Sequence, residues 1–231
     1  MQSIKTIYKI GPGPSSSHTF GPMMASKYIN EQYPEATNFK ITLFGSLALT
    51  GKGHLTDKII LKTLGTSKCE IIFDMKTPVK HPNTMIIEVF DKDTKIAKHT
   101  FVSIGGGKIE IDGKKGNVDP EIYPHTKMDD IQVYCNERHL RLDQYIDEVE
   151  DSDFDSYMNQ IFKQMLKTVN TGLKKTGVLP GSLKIDRVAH ALHQSAQSCS
   201  DIQDKNSLLL SSYAYAANEQ NASGGLSLIH I

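Results

Sequence analysis

Three consecutive serines, a histidine and a threonine follow a Gly/Pro-rich turn near the start of the chain: Ser15, Ser16, Ser17, His18 and Thr19. A helical pattern begins directly afterwards and stops at Pro34, so this cluster lies where a helix N-cap belongs. Unpaired N–H groups and the helix dipole favour an anion there. Because Pro12 and Pro14 have no N–H, a small carboxylate fits better than a phosphate. The alternative is that a single Ser or Thr only caps the helix.

Three histidines stand beside polar, Gly or Pro residues and could transfer protons near neutral pH: His18, His54 and His81. His54 lies at a predicted strand-to-helix corner with Asp57 one turn further on, where a carboxylate can orient an imidazole. The alternative for any one of these histidines is a surface or capping role. No cofactor motif accompanies Lys52, so a pyridoxal Schiff base is not expected.

The first half of the chain alternates between strand and helix patterns, which predicts a mixed α/β domain that positions these side chains. Helical spacing follows the serine cluster and returns after Thr56 and again from Asp129 to Val149. Strand patterns, including a hairpin over Asp-Lys-Asp-Thr, occupy residues 39–46, 69–75, 85–91, 96–104 and, as a continuation of the sheet, 108–112.

The second half is predicted to be all helical, after an acidic stretch near residues 148–156. An apolar stripe runs from Phe154 to a glycine at 172 or 177, and further helices are predicted over 185–197 and 208–217. We therefore divide the chain into an α/β domain (1–150), a helical segment (151–225) and an atypical tail (226–231). The tail is either a short edge strand or an ending foreign to the natural protein.

Composition excludes several classes of protein. Lys plus Arg and Asp plus Glu both number 26, so no basic surplus points to nucleic acid. No apolar run approaches the length that spans a membrane, and the start lacks a signal-peptide core. Three widely spaced cysteines predict neither a disulfide framework nor a thiolate metal site. The chain is predicted to be cytoplasmic.

Six ordered motifs resemble successive segments of the iron–sulfur-dependent L-serine dehydratases: GPGPSSSHTFGPM (11–23), GSLALTGKGHLTD (45–57), HPNTM (81–85), SIGGGKI (103–109), LPGSLKIDR (179–187) and ANEQNASGG (217–225). The resemblance implies an α/β domain like the allosteric substrate-binding domain of some phosphoglycerate dehydrogenases, followed by a helical catalytic domain. It also implies deamination of L-serine to pyruvate and ammonia without pyridoxal phosphate, assisted by a four-iron four-sulfur cluster that acts as a Lewis acid.

By resemblance, His54 is the candidate general base and His81 a partner that positions substrate or handles protons. Elimination needs such a base because the α-proton of serine is only weakly acidic. The groups that would hold the amino acid are Ser15, Ser16, Ser17, His18, Thr19, Asp57, Asn83, Asn218 and Asn221.

One departure from the family is that its next segment and the helices with the cluster cysteines do not follow Gly225. Cys69, Cys135 and Cys199 match no cluster-ligand position, so this chain is expected to bind no metal and to be inactive alone. A second chain could supply the missing part, and a homo-oligomer is expected. The alternative function is a non-catalytic amino-acid-binding or regulatory module.

Overall fold

The computed structural model of the chain describes residues 1–116, 119–181 and 183–229. Within those ranges the strands are β1 (Lys9–Pro12), β2 (Asn38–Phe44), β3 (Cys69–Asp74), β4 (Thr84–Asp91), β5 (Thr94–Gly105), β6 (Lys108–Ile111), β7 (Lys114–Lys115) and β8 (Leu226–Ile229). The α-helices are α1 (Gly21–Gln32), α2 (Gly45–Thr50), α3 (Thr56–Leu64), α4 (Met128–Arg138), α5 (Leu142–Val149), α6 (Phe154–Gly172), α7 (Ala189–Ser198) and α8 (Ile202–Ala222).

Six of the described strands form one mixed sheet in the order β3-β2-β4-β5-β6-β7. Strands β2 and β3 are parallel and are connected through α2 and α3, whereas the other neighbours are antiparallel. Alternate residues of β2 face the core, and α1 and α3 pack against each other over it. The main core is apolar and includes Ile29, Ile41, Leu43, Ile60, Ile87, Val89 and Phe101, all inaccessible to solvent.

A smaller apolar cluster joins α4 and α5 to the start of the chain. Tyr123, Ile131, Cys135 and Tyr145 form its buried part. The carboxylate of Glu150 then accepts hydrogen bonds from the Ser3 hydroxyl (2.6 Å), the Ile4 N–H (2.8 Å) and the Tyr123 hydroxyl (2.7 Å). The first residues are therefore fixed against the end of the α/β part.

Helices α6 and α7 each pack on α8, as expected for a helical second half. Glu219 of α8 is buried, and its Oε1 accepts the N–H groups of Val188 (2.7 Å) and Ala189 (3.1 Å) at the start of α7. Its Oε2 lies 3.8 Å from a guanidinium nitrogen of Arg187, whose side chain is 7% exposed. One buried carboxylate thus fixes α7 to α8.

The expected mixed α/β first half and helical second half are confirmed, with four differences among the helices. The predicted helix over 129–149 is two helices, because His139 adopts a left-handed conformation (φ 54°) that ends α4. The helix predicted from 185 begins at Ala189, because Leu179 and Arg187 bond across an extended segment to the carbonyls of Ile185 and Gly177. Helix α8 is longer than predicted, and α2 was not predicted as a helix.

Of the two interpretations of the tail, the short strand agrees with the structure of residues 226–229, where β8 pairs antiparallel with β1. Residues 230 and 231 lie outside the described residues, as does Ser182 of the predicted turn. None of the helices in the described part of the chain is both long and apolar enough to cross a membrane.

Candidate active site

Two histidine rings meet at the end of β2. His18 lies in a π-helical turn (Ser16–Phe20) that runs directly into α1, and His54 lies in the turn between α2 and α3. The centroids of the two rings are 4.8 Å apart, with an angle of 41° between the ring planes. The fold therefore brings together the two motifs that carry the serine cluster and His54.

Two threonine hydroxyls connect the main chains of these segments. Thr19 Oγ1 donates to the carbonyl oxygen of His54 at 2.7 Å, and Thr56 Oγ1 donates to the carbonyl oxygen of His18 at 2.5 Å. Both threonines are buried, with 1% and 0% exposure. The Thr19 hydroxyl also accepts from the Ser15 N–H at 3.2 Å, so both its donor and an acceptor position are occupied.

The ring of His54 is oriented by main chain. Its Nδ1 lies 3.0 Å from the carbonyl oxygen of Thr50. Because a carbonyl oxygen can only accept, Nδ1 carries the proton in this bond, and the neutral ring has its lone pair on Nε2. The Asp57 carboxylate instead accepts the N–H of Lys58 at 2.9 Å. The orienting contact for which Asp57 was considered is thus made by the Thr50 carbonyl.

The ring of His18 is held by two hydroxyls. Ser17 Oγ is 2.9 Å from Nδ1, and Ser46 Oγ, at the start of α2, is 2.9 Å from Nε2. Burial lowers the pKa of His18 below its ordinary value, and the charge that His54 can carry lowers it further. His18 is therefore more readily neutral than a solvated histidine.

The serine cluster forms the turn itself. Ser15 is the N-cap: its hydroxyl accepts the His18 N–H at 3.1 Å and lies 3.4 Å from Ser17 Oγ. Ser15, Ser16 and Ser17 remain partly exposed. Three hydroxyls and an imidazole therefore line one turn, whose end leads into a helix N-terminus.

The segment with His81 and Asn83 lies next to the start of α2, because the Pro82 carbonyl accepts the Ser46 N–H at 2.7 Å. His81 Nδ1 accepts the Asn83 N–H at 3.1 Å, which leaves the proton of the neutral ring on Nε2. The Asn83 side chain donates to the Ser103 carbonyl at 3.3 Å. His81 and His54 thus have opposite neutral tautomers.

The end of α8 reaches the other side of the turn. A Cβ on Gly13 would lie 2.4 Å from the Asn221 carbonyl oxygen, and the Gly13 N–H donates to Gly225 at 3.2 Å. Asn221 therefore packs directly on the turn, while Asn218 is exposed one helical turn earlier. A cavity of about 170 Å³ lies beside this contact and is lined in part by Pro12, Thr19, Leu55 and Gly224.

The described residues do not fit an iron–sulfur cluster. Cys69 lies on β3, Cys135 is buried in α4 and Cys199 follows α7, so the three thiols are on separate elements. Among the described side chains, no three His, Cys, Asp or Glu residues are grouped so that they could hold a metal ion. Cluster ligation would need thiolates placed together.

Three residues of this site were not selected from the sequence: Ser46, Thr50 and Thr56. All three lie within the motif that contains His54, so membership of that motif was the sequence signal that could have identified them. Their roles depend on hydrogen bonds to His18 or on a main-chain carbonyl, and a linear pattern does not show these contacts.

Comparisons with known proteins show that the chain is similar to serine dehydratases. A family model described as serine dehydratase beta chain matches residues 3–72, which include the serine turn and His54. The chain is 28% identical over 280 aligned residues to L-serine dehydratase of Haemophilus influenzae, covering 97% of the chain and 62% of that protein. It is 30% identical over 283 residues to L-serine dehydratase 2 of Escherichia coli, covering 97% and 61%.

L-serine dehydratase of Helicobacter pylori is also 30% identical, over 277 residues, with 96% of the chain and 61% of that protein covered. The chain thus spans 61–62% of the length of these curated relatives. Each alignment is longer than the 231 residues of the chain, so the relatives contain additional residues within the matched region.

Proposed function

We propose that this chain is a member of the L-serine dehydratase family and supplies the substrate-holding and proton-abstracting part of an L-serine ammonia-lyase. The reaction converts L-serine to pyruvate and ammonia. Loss of the α-proton and of the hydroxyl gives an enamine, which tautomerises to an imine and is hydrolysed. The step for which this chain offers a group is removal of the α-proton.

The observation that carries the proposal is the orientation of His54. With Nδ1–H donated to the Thr50 carbonyl, Nε2 has the free lone pair that a general base needs. The nearby ring of His18, 4.8 Å away, joins this base to the serine turn. An amino acid held by that turn would therefore lie beside the base, and positioning of this kind lowers the entropic part of the barrier.

The remaining roles are assigned from the same geometry. Ser15, Ser16, Ser17 and His18 offer hydroxyl and imidazole groups to the carboxylate and ammonium groups of serine. His81, with a proton on Nε2 in its neutral form, is assigned the task of donating a hydrogen bond or a proton.

Side chains around this turn complete the proposed site. Asn221 on α8 and Asn83 in the segment before β4 would shape it, and Asp57 and the exposed Asn218 are assigned to its outer edge. Thr19 is assigned to support of the main chain rather than to substrate, because its hydroxyl already has two partners.

Departure of the serine hydroxyl requires assistance that we assign to no described residue of this chain. The family resemblance implies a four-iron four-sulfur cluster for that task. Since the described cysteines do not fit it, we propose that the cluster ligands lie outside the described residues, in this or another polypeptide. We accordingly propose that residues 1–231 alone neither bind a cluster nor release pyruvate from serine.

The architecture supports a division near residue 150. We propose that the α/β part acts like the allosteric substrate-binding domain of phosphoglycerate dehydrogenases, and that α6–α8 begin a helical catalytic domain. Strand β1 is an exception to this division, because it pairs with β8 beside the helices. A homo-oligomer in the cytoplasm is the proposed setting.

Two measurements test the proposal. In the labelled chain, L-serine should shift the ring signals of His54 saturably in NMR spectra, and L-alanine, which lacks the hydroxyl, should shift them less. In a full-length relative that carries residues 1–225 of this chain, His54→Gln should reduce kcat at least ~100-fold with the fold intact, because glutamine cannot accept the proton. His139→Asn, which removes an exposed imidazole, is the control.

Near-normal turnover of His54→Gln would move the base elsewhere. If the chain also bound serine and His54→Gln left that binding unchanged, the alternative function would be favoured, a non-catalytic amino-acid-binding or regulatory module.

A further inference from the structure

We infer that Thr56 and Thr19 form a reciprocal clamp that positions the histidine pair, with each hydroxyl holding the main-chain carbonyl of the histidine on the other segment. The inference rests on the proposed function, in which His54 is the base and His18 belongs to the turn that holds the substrate. Thr56 is a positioning residue under this assignment, because it acts on His18 through the main chain.

The clamp is carried by two crossed hydrogen bonds. Thr56 Oγ1 donates to the carbonyl of His18 at 2.5 Å, and Thr19 Oγ1 donates to the carbonyl of His54 at 2.7 Å. Thr19 directly follows His18 in the sequence, and Thr56 is two residues after His54. Each threonine therefore bonds to the histidine of the other segment, and the two hydrogen bonds run in opposite directions. Sliding or separation of one segment against the other would therefore break both bonds.

Burial explains why these bonds persist. Thr56 is 0% exposed and Thr19 is 1% exposed, so water cannot replace either carbonyl as a partner. A buried hydroxyl or carbonyl without a partner is costly, and both pairs are thus strongly favoured over open arrangements. Thr63, a partly buried threonine in the interior of α3, bonds instead within its own helix, to the carbonyl of Ile59 at 2.8 Å.

Outer contacts complete the arrangement from α2. Ser46 holds Nε2 of His18 at 2.9 Å, and the Thr50 carbonyl holds Nδ1 of His54 at 3.0 Å. One short helix therefore sets the rotation of both rings, while the threonine pair sets the separation of their main chains. A displacement of about 1 Å in a catalytic group can reduce a rate about 100-fold, so this separation is where precision is needed.

The clamp can be measured without turnover, because the histidines report on each other. Besides burial, the titratable group that lowers the pKa of His18 is His54, while the hydroxyls of Ser17 and Ser46 contact its two nitrogens. The experiment follows the ring signals of His18 by NMR against pH in the labelled 231-residue chain. It compares the unmodified chain with Thr56→Val, Thr56→Ser and Thr63→Val, each with and without His54→Gln.

In the unmodified chain, the pKa of His18 should lie below 6.5 and rise when His54→Gln removes the neighbouring charge. Thr56→Val should raise this pKa and abolish its response to His54→Gln, because the rings separate. Thr56→Ser keeps the hydroxyl and should restore the original behaviour. Thr63→Val removes a hydroxyl from the same helix without touching the clamp and should leave the titration unchanged.

An unchanged titration of His18 in Thr56→Val, with an undiminished response to His54→Gln, would overturn the clamp. If Thr56→Val does not fold, the test uses the unmodified chain. The hydroxyl protons of Thr56 and Thr19 should then give slowly exchanging NMR signals, and rapid exchange of both protons with water would overturn the clamp. Neither readout uses serine or a cluster. A negative result for the clamp therefore leaves the proposed role of His54 as the base intact. Full turnover of His54→Gln would refute that catalytic role without affecting the clamp.

Discussion

The buried carboxylate that joins α7 to α8 offers a test of what burial does to an ion pair. Glu219 is 3% exposed, and Glu219→Ala removes the acceptor of the Val188 and Ala189 N–H groups together with the counter-ion of Arg187. The ion pair is long, at 3.8 Å, but the Arg187 side chain is only 7% exposed. Truncation therefore leaves a buried cation and two N–H groups without their partner.

Breaking a buried pair in this way costs about 3–5 kcal/mol of unfolding free energy. Glu219→Gln retains an oxygen for the two N–H groups and should cost less, about 1–3 kcal/mol. The control is Glu148→Ala, whose partner Arg138 lies closer, at 2.8 Å, in a pair with side chains 51% and 35% exposed. Solvent screening makes that exposed pair worth less than about 1 kcal/mol.

Urea unfolding followed by far-UV circular dichroism measures these losses, and an unchanged slope shows that they reflect stability alone. The double variant Arg187→Met with Glu219→Ala should lose less than the sum of the single variants, since no buried charge is then left unpaired. A loss for Glu219→Ala no larger than that for Glu148→Ala would refute the reasoning, because distance rather than burial would then decide.

Two further outcomes are expected. Gly172→Ala should lower the unfolding free energy by about 1–3 kcal/mol, because its Cβ would lie 2.2 Å from the Ala216 carbonyl oxygen and separate α6 from α8. Gly53→Ala, whose Cβ meets nothing closer than 3.4 Å, is the control, and equal losses would contradict this packing. Burial raises the pKa of Cys69 to about 11 from 9.0, so at pH 8 its thiolate fraction and alkylation rate should be about 100-fold below those of a free cysteine. That rate should climb about tenfold per pH unit, and rapid alkylation at neutral pH would show that the thiol is not protected.

The sheet was predictable from local pattern, and some helix boundaries were not. Strand β2 alternates buried and partly exposed residues, a periodicity that the sequence shows directly. The short helix α2 is too brief to display a helical period, so its six residues appeared only as a corner. The start of α7 depends on Glu219, which lies about 30 residues further along the chain. No pattern near Ala189 indicates a cap supplied from another helix.

The candidate site was likewise predictable from the sequence in part. The side-chain types of the serine turn and His54 stand out in the sequence, and the fold brings them together. The contact that orients His54, however, is a main-chain carbonyl, that of Thr50, and every residue has such a group. The bonds of Thr19 and Thr56 cross between segments more than 30 residues apart. Sequence can therefore indicate which groups do chemistry, while their orientation depends on contacts formed only by the fold.

The pairing of β1 with β8 makes the order of synthesis important for the serine turn. More than 200 residues separate Pro12 from its partner Leu226. At 5–20 residues per second, a ribosome needs about 10–40 s to add them, and β8, the partner of β1 in the described part of the chain, is missing during that time. The contacts of Gly13 with Asn221 and Gly225 likewise form only after those residues have been synthesised. The serine turn is thus among the first parts of the chain to be made and among the last to be completed, so a nascent chain contains the three serines long before the turn has its contacts.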